Sequence, residues 1–311
     1  MNLHRSTAPH VHSPVTTQRL MLRVVIALLP TAAAGVYYFG MPALTVLLVS
    51  CLSAVLSELI WQKIARQPVR IHDFSALVTG LILGLNLPST APWWLAMIGS
   101  AFAILIVKQL FGGLGDNFLN PAMAARAVLL ASWPVRMTAC VLPTYSAPGA
   151  ELVTAATPLS NPAGYSLMEL FLGQIPGTIG EVCKAAILAG FVYLLLTGTI
   201  CWQIPVGMVG CVAAFSALLG LDPLSAVLSG GVLFGAVFMA TDYTTSPMTP
   251  WGRLIYGVGI GIIVVVIRQF GSYPEGVTYA VLFMNILTPL LDRFMPHKIY
   301  GHQKVKEAKK A

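Results

Sequence analysis

The window VCKAAILAGFVYLLLTGTI, residues 182–200, holds one charged side chain, Lys184, in a stretch close to the ~20 residues that carry a helix across a bilayer core. Windows of this kind recur along the chain, and their recurrence decides its class. Of the 311 residues, 57% are hydrophobic and 9% charged, whereas a soluble domain carries about 25% charged residues. Mean hydropathy is +0.79. Inside lipid every backbone amide must find its partner within the protein, so apolar windows of this length predict an all-α polytopic membrane protein. The formal charge of +7 then reports topology, and no nucleic-acid partner is expected.

Glycine, proline and charged breaks place about ten spans, near 22–39, 42–60, 74–88, 93–111, 118–133, 182–200, 203–219, 224–240, 253–270 and 277–291. Two of them, 74–88 and 224–240, are short and interrupted by glycine, which suits tilted, broken or re-entrant segments. The chain thus divides into an N-terminal tail (1–21), a first membrane half (22–133), a loop (134–181), a second half (182–294) and a basic C-terminal tail (295–311). With the N-terminus inside, an even number of spans returns the C-terminus inside. All but four of the 18 basic residues then face the cytoplasm: Arg136, Lys184 and Arg268 fall outside and Arg126 within a span. That asymmetry is the positive-inside bias, and it puts 134–181 outside. The polar N-terminal tail leads into an apolar run at Leu22 with no small-residue cleavage site, so it reads as retained. Its His4, His10 and His12 have no acidic or cysteine partner nearby and read as solvated. The five cysteines show no metal-ligand spacing, and only Cys140 and Cys183 share a side on which a disulfide can form.

The two halves resemble each other. FSALVTGLILG (74–84) matches SAVLSGGVLFG (225–235), aligning Gly80 and Gly84 with Gly231 and Gly235, and KQLFG (108–112) matches RQFG (268–271). Five spans per half is an odd number, so the copies are expected to be inverted, with Lys108 facing in and Arg268 facing out. Folds of this type place a ligand near the midplane, between the short or glycine-broken helices.

Three polar stretches interrupt the apolar pattern. In GGLGDNFLNPA (112–122) three glycines let the backbone pass close to a flat ligand, and Asn117 and Asn120 offer neutral donors and acceptors, suited to an uncharged heterocycle or equally to capping a turn. In ATDYTTSPMTPWGR (240–253) Asp242 and its threonines either bind a cation or cap a helix end. Glu58 and Asp222 are the other acids near the membrane; both fall at predicted span boundaries, within reach of water. The third stretch, ELVTAATPLSNPAGY (151–165), sets the Thr157 hydroxyl beside small residues and before Pro158, on an open external turn. No His or Lys nearby makes Thr157 a nucleophile, so it reads as an acceptor of a covalent group or as an ordinary Thr-Pro turn.

GGLGDNFLNPAMAAR, TDYTTSPMTPWGRLIYG and SYPEG, in this order and spacing, resemble the NqrB/RnfD proteins, membrane subunits of the sodium-pumping NADH:quinone reductase and of the Rnf ferredoxin:NAD oxidoreductase. The resemblance runs from RLMLRVVIALLP to SYPEGVTYAVLFMNILTPLLDRF. The chain lacks the long N-terminal extension of NqrB and is most like the RnfD branch. In that family a threonine in a D-x-x-S/T-G-A-T pattern receives FMN through a phosphoester made by a flavin transferase. Here the pattern reads ELVTAAT, with Thr157 as acceptor and Glu151 and Thr154 as motif residues; Glu151 replaces aspartate and Ala155 replaces glycine.

The resemblance further implies a non-covalent riboflavin at the positions of Asn117 and Asn120. It also implies partners: other Rnf subunits, among them a second flavin-bearing subunit and iron–sulfur subunits. The expected location is the bacterial inner membrane, with both termini cytoplasmic and the flavin loop periplasmic. The expected activity is that of one component of an ion-translocating oxidoreductase, moving Na+ or H+ only in the assembled complex. The alternative from the residues alone is a small-solute channel or transporter on the same inverted repeat, without a redox group.

Overall fold

A computed structural model describes residues 15–143, 157–159, 164–271 and 275–295. Helix α1 (Thr17–Phe39) starts where the Thr16 hydroxyl accepts from Arg19 N–H and stops at Gly40, whose φ of +68° suits a residue without Cβ. Pro42 sits in the first turn of α2 (Met41–Ile64), which closes the first hairpin. Then follow α3 (Ser75–Leu85), α4 (Trp93–Phe102), α5 (Pro121–Ser132), α6 (Pro134–Thr138), α7 (Leu167–Leu172), α8 (Lys184–Leu196), α9 (Gln203–Leu218), α10 (Pro223–Leu228), α11 (Val232–Phe234), α12 (Pro250–Phe270) and α13 (Val277–Phe294). Both α4 and α11 run on into π-helical turns, Ala103–Gln109 and Gly235–Met239. No β-strand occurs among the described residues.

Four helices, α1, α2, α12 and α13, are long and apolar enough to cross a membrane; five more apolar stretches are shorter. The segment expected as one span at 224–240 is broken into α10 and α11 at Ser229 to Gly231, where Gly230 takes φ +64°. The expected fifth span begins later than 118, because the chain before Pro121 is held by the Asn120 cap. With several apolar helices and a set of polar side chains buried between them, the chain is a multi-pass membrane protein.

The outward face of α2 shows why. Leu48, Leu52, Leu56, Ile60 and Ile64, one per helical turn, are all exposed, whereas Ser50, Ser57, Glu58 and Gln62 are buried. In water this helix would be inside out; in lipid the apolar stripe meets acyl chains and the polar stripe meets protein. Packing inside depends on small residues. The Ser50 hydroxyl donates to Gly80 O at 2.7 Å, and a Cβ on Gly80 would lie 2.8 Å from Ser50 O, so α2 and α3 touch backbone to backbone. On the other side of the molecule, Gly257 brings α12 equally close to Ile204 of α9.

Helix α2 packs on α3 and α4, as α9 packs on α10 and α12, while α1 lies on α8 and α5 on α13. The chain before α8 runs back under α3: Ile179 N–H donates to Leu87 O and Gly180 N–H to Leu85 O. Cys140 and Cys183 are both free, as are Cys51, Cys201 and Cys211.

Candidate functional site

The loop after α4 folds through three glycines whose φ angles, +118° at Gly112, +101° at Gly113 and +107° at Gly115, exclude other residues without strain. An edge-to-face contact between Phe111 and Phe118, centroids 4.9 Å apart, closes it. The two asparagines that follow diverge in role. Asn120 Oδ1 accepts from Ala122 and Met123 N–H at 3.1 and 3.3 Å, capping α5, and its Nδ2 donates to Met239 O at 3.2 Å, tying the first half to the π turn of the second. Oriented to satisfy its neighbours, the Asn285 amide accepts from Asn120 N–H at 3.1 Å and donates to the Val281 carbonyl and the Tyr256 hydroxyl. Asn120 is therefore a structural joint. Asn117 is nearly as buried and its Nδ2 donates to Leu119 O at 3.1 Å, but its Oδ1 has no donor.

A cavity lies where Asn117 and Asn120 meet Ser75 and Thr79 of α3, Lys108, and the segment from Thr241 to Thr244. Its wall also includes Val24, Ile82 and Phe238. Lys108 Nζ, 2% exposed, donates to both Glu58 oxygens at 2.9 and 3.1 Å and to Ser75 Oγ at 2.6 Å, and Gln109 Nε2 donates to Glu58 at 2.7 Å. The single buried ammonium of this wall thus arrives neutralised. Glu58, placed by the sequence at a span boundary, borders a polar cleft with Gln62, Arg70 and Asp73 but is only 2% exposed, because Lys108 and Gln109 reach back to it. Asp242 spends its carboxylate on the Thr244 and Thr245 hydroxyls, both at 3.2 Å, and so forms a turn at the end of the π helix. Asp222 caps α10 through Leu224 and Ser225 N–H.

A second buried polar cluster escaped the sequence. Arg126 donates to Asn86 Oδ1 at 2.7 Å, pairs with Glu275 and lies 3.9 Å from Glu181, whose carboxylate accepts from the Thr178 hydroxyl at 2.5 Å. Lys184 donates to Glu181 O and is fully buried. Counting Lys184 as an external charge missed this, although Arg126 inside a span and the acid of SYPEG were both visible signals.

Thr157 is half-buried, next to buried Pro158. Glu151 and Thr154 lie outside the described residues. Pro158 and Leu159 border a cleft with Tyr165 and the ends of α9, α10 and α12, which shares no lining residue with the Asn117 cavity. Its rim includes α7, begun by a capping box in which Ser166 and Glu169 satisfy each other's backbone N–H. Those hydrogen bonds hold the Glu169 carboxyl below the usual carboxylate range, while burial and then Glu169 raise the Tyr165 phenol.

The sequence matches the model of the NQR2, RnfD, RnfE family over residues 4–301. Among curated proteins it is 46% identical to the D subunit of the Na(+)-translocating ferredoxin:NAD(+) oxidoreductase complex of Acetobacterium woodii, covering 100% of this chain and 99% of that one. It is 42% identical to the D subunit of the ion-translocating oxidoreductase complex of Stutzerimonas stutzeri, with 92% of each covered. The D subunit of the proton-translocating ferredoxin:NAD(+) oxidoreductase complex of Clostridium ljungdahlii is 41% identical, with 95% of each covered. With the helices, the asparagine loop and the end-to-end likeness in agreement, the chain belongs to the NQR2, RnfD, RnfE family.

Proposed function

We propose that this chain is the RnfD-type membrane subunit of an Rnf complex, in which electron transfer between ferredoxin and NAD is coupled to movement of Na+ or H+. The observation that carries this reading is likeness along the whole length to proteins named as that component. Its partners are the other Rnf subunits, including a flavin-bearing and iron–sulfur subunits, in a bacterial cytoplasmic membrane.

Two flavin positions belong to the proposal. Thr157 carries FMN on the external face through a phosphoester, attached by a separate flavin transferase: the Thr157 oxygen takes the place of the nucleoside monophosphate that leaves as the pyrophosphate of a flavin dinucleotide is cleaved, and the hydroxyl proton is released. A riboflavin sits non-covalently in the cavity at Asn117. The fit there is chemical: an unpartnered amide oxygen and a wall whose lysine is already neutralised suit an uncharged ring with its own N–H donor. When bound, a flavin accepts electrons singly or in pairs. The chain's own residues do the rest: Asn117 orients, Asn120 fixes α5 against the second half, and Phe238 with Val24 and Ile82 excludes water.

The proposed frame is ten spans in two inverted five-span repeats, with both termini cytoplasmic. Support comes from matching contacts. Lys108 donates to Ser75, and Arg268, its counterpart, donates to Ala226, the residue that the repeat aligns with Ser75. The pairs α1 with α8 and α5 with α13, equivalent under the repeat, pack on each other.

The test is a denaturing gel viewed under ultraviolet light. Co-expressed with the transferase, the wild-type chain is expected to give a fluorescent band that Thr157→Ala removes. A dark wild-type band would overturn the covalent part of the proposal.

A further inference from the structure

The cleft beside Thr157 contains a cation with unused capacity. Arg268, in the last turn of α12, donates through Nη1 to Ala226 O at 2.7 Å and through Nη2 to Ser229 O at 3.0 Å, while its Nε is buried with no acceptor. The guanidinium lines the cleft together with Pro158 and Leu159, the residues that follow Thr157. At Gly230, a Cβ would lie 2.8 Å from the Leu159 side chain and 3.1 Å from Arg268 Nη2, so the lack of a side chain there lets the Thr157 segment and the guanidinium approach.

The charges around it leave Arg268 positive. Asp222 borders the same cleft, but its carboxylate is engaged by Leu224 and Ser225 N–H at the start of α10. Glu181 and Glu275 are the other acids whose fields reach the guanidinium, and Arg126 answers both. Among the described residues no carboxylate lies within ion-pair distance of Arg268.

We propose that Arg268 binds the phosphodiester of the FMN carried by Thr157, making this cleft the seat of that flavin. The inference rests on Thr157 being the acceptor. A phosphoester to a threonine keeps one negative charge, and its oxygens must stay within a bond or two of Oγ1, whereas the ring swings on the ribityl chain. The group within reach of a cation that sits beside Leu159 is therefore the phosphate, and a guanidinium with spare donors matches its oxygens. Leu159, Tyr165 and Val265 offer the apolar surface on which the ring would lie. Arg268 is a positioning residue: it holds the flavin's anchored end and touches no reacting atom.

The experiment compares wild type, Arg268→Gln and Arg268→Lys in the assembled complex, reading gel fluorescence for loading, and flavin anisotropy and iodide quenching for immobilisation. The expected result is a loaded Arg268→Gln whose flavin is more mobile and several-fold more accessible to iodide, with Arg268→Lys restoring most of the shielding. A lysine keeps the charge but not the fork on Ala226 and Ser229, so this rescue separates phosphate binding from support of α10. Loss of loading in Arg268→Gln that Lys restores also supports the proposal; loss that Lys does not restore overturns it. A loaded Arg268→Gln as immobile and as shielded as wild type overturns it while leaving Thr157 as acceptor. A wild-type band without fluorescence removes the acceptor reading itself.

Discussion

Two asparagines three residues apart show how little spacing says about role. Asn120 has both ends of its amide committed to α5 and Met239, while Asn117 keeps a buried oxygen without a donor. Asn117→Leu is expected to weaken retention of non-covalent flavin about tenfold, the factor that 1.4 kcal/mol makes, with assembly and Thr157 loading unchanged. Unaltered riboflavin content in the purified complex would remove Asn117 from that site. Asn120→Ala is instead expected to lower thermal stability, by about 1 kcal/mol for the lost cap. Glu58 predicts a larger effect of the same kind. Glu58→Gln leaves the Lys108 ammonium buried without its counter-charge, a loss of about 3–5 kcal/mol that thermal unfolding in detergent would register. Glu58→Gln with Lys108→Met is expected to recover much of it; a double variant no more stable than the single one would mean that the pair is not where the cost lies.

At the scale of elements, glycine decides where helices touch. Gly80→Ala drives a Cβ to 2.8 Å from Ser50 O on α2, backbone that cannot step aside, whereas Gly210 on α9 has nothing within 4 Å. Gly80→Ala is therefore expected to destabilise the chain and Gly210→Ala to leave it unchanged or stabilise it by up to about 1 kcal/mol through helix propensity, as read by melting temperature in detergent. Equal melting for both would contradict the close α2–α3 contact. The same elements show what the sequence could and could not carry. Long apolar runs announce α1, α2, α12 and α13, because a spanning helix needs only length and hydropathy. The glycines of 224–240 signalled a short, interrupted segment, but the division at Gly230 depends on a backbone angle that hydropathy does not encode. Glu58 and Lys108 meet only once α2 and the π turn after α4 are packed, fifty residues apart, and Glu181 and Lys184 sat beside an apolar run that masked their burial. Asn117, Asn120 and Thr157 were legible because motifs in order and spacing carry family likeness; the difference between Asn117 and Asn120 was not.

The whole molecule buries a set of polar side chains in its interior and exposes apolar stripes such as that of α2, and the proposed inversion of its halves fixes which loops face which compartment. In a chain whose own cysteines are replaced by serine, Met168→Cys, at a position 66% exposed, is expected to react with an impermeant maleimide from outside the cell. Val69→Cys, 47% exposed, is expected to react only after the membrane is opened. Reaction of Val69→Cys in intact cells would reverse the proposed orientation. The chemistry turns on the Thr157 hydroxyl. Mass spectrometry of the peptide containing Thr157, taken from the chain purified with its complex, is predicted to find FMN joined through its phosphate to that residue. A peptide recovered unmodified, or flavin attached to any other side chain, would exclude Thr157 as the flavin acceptor.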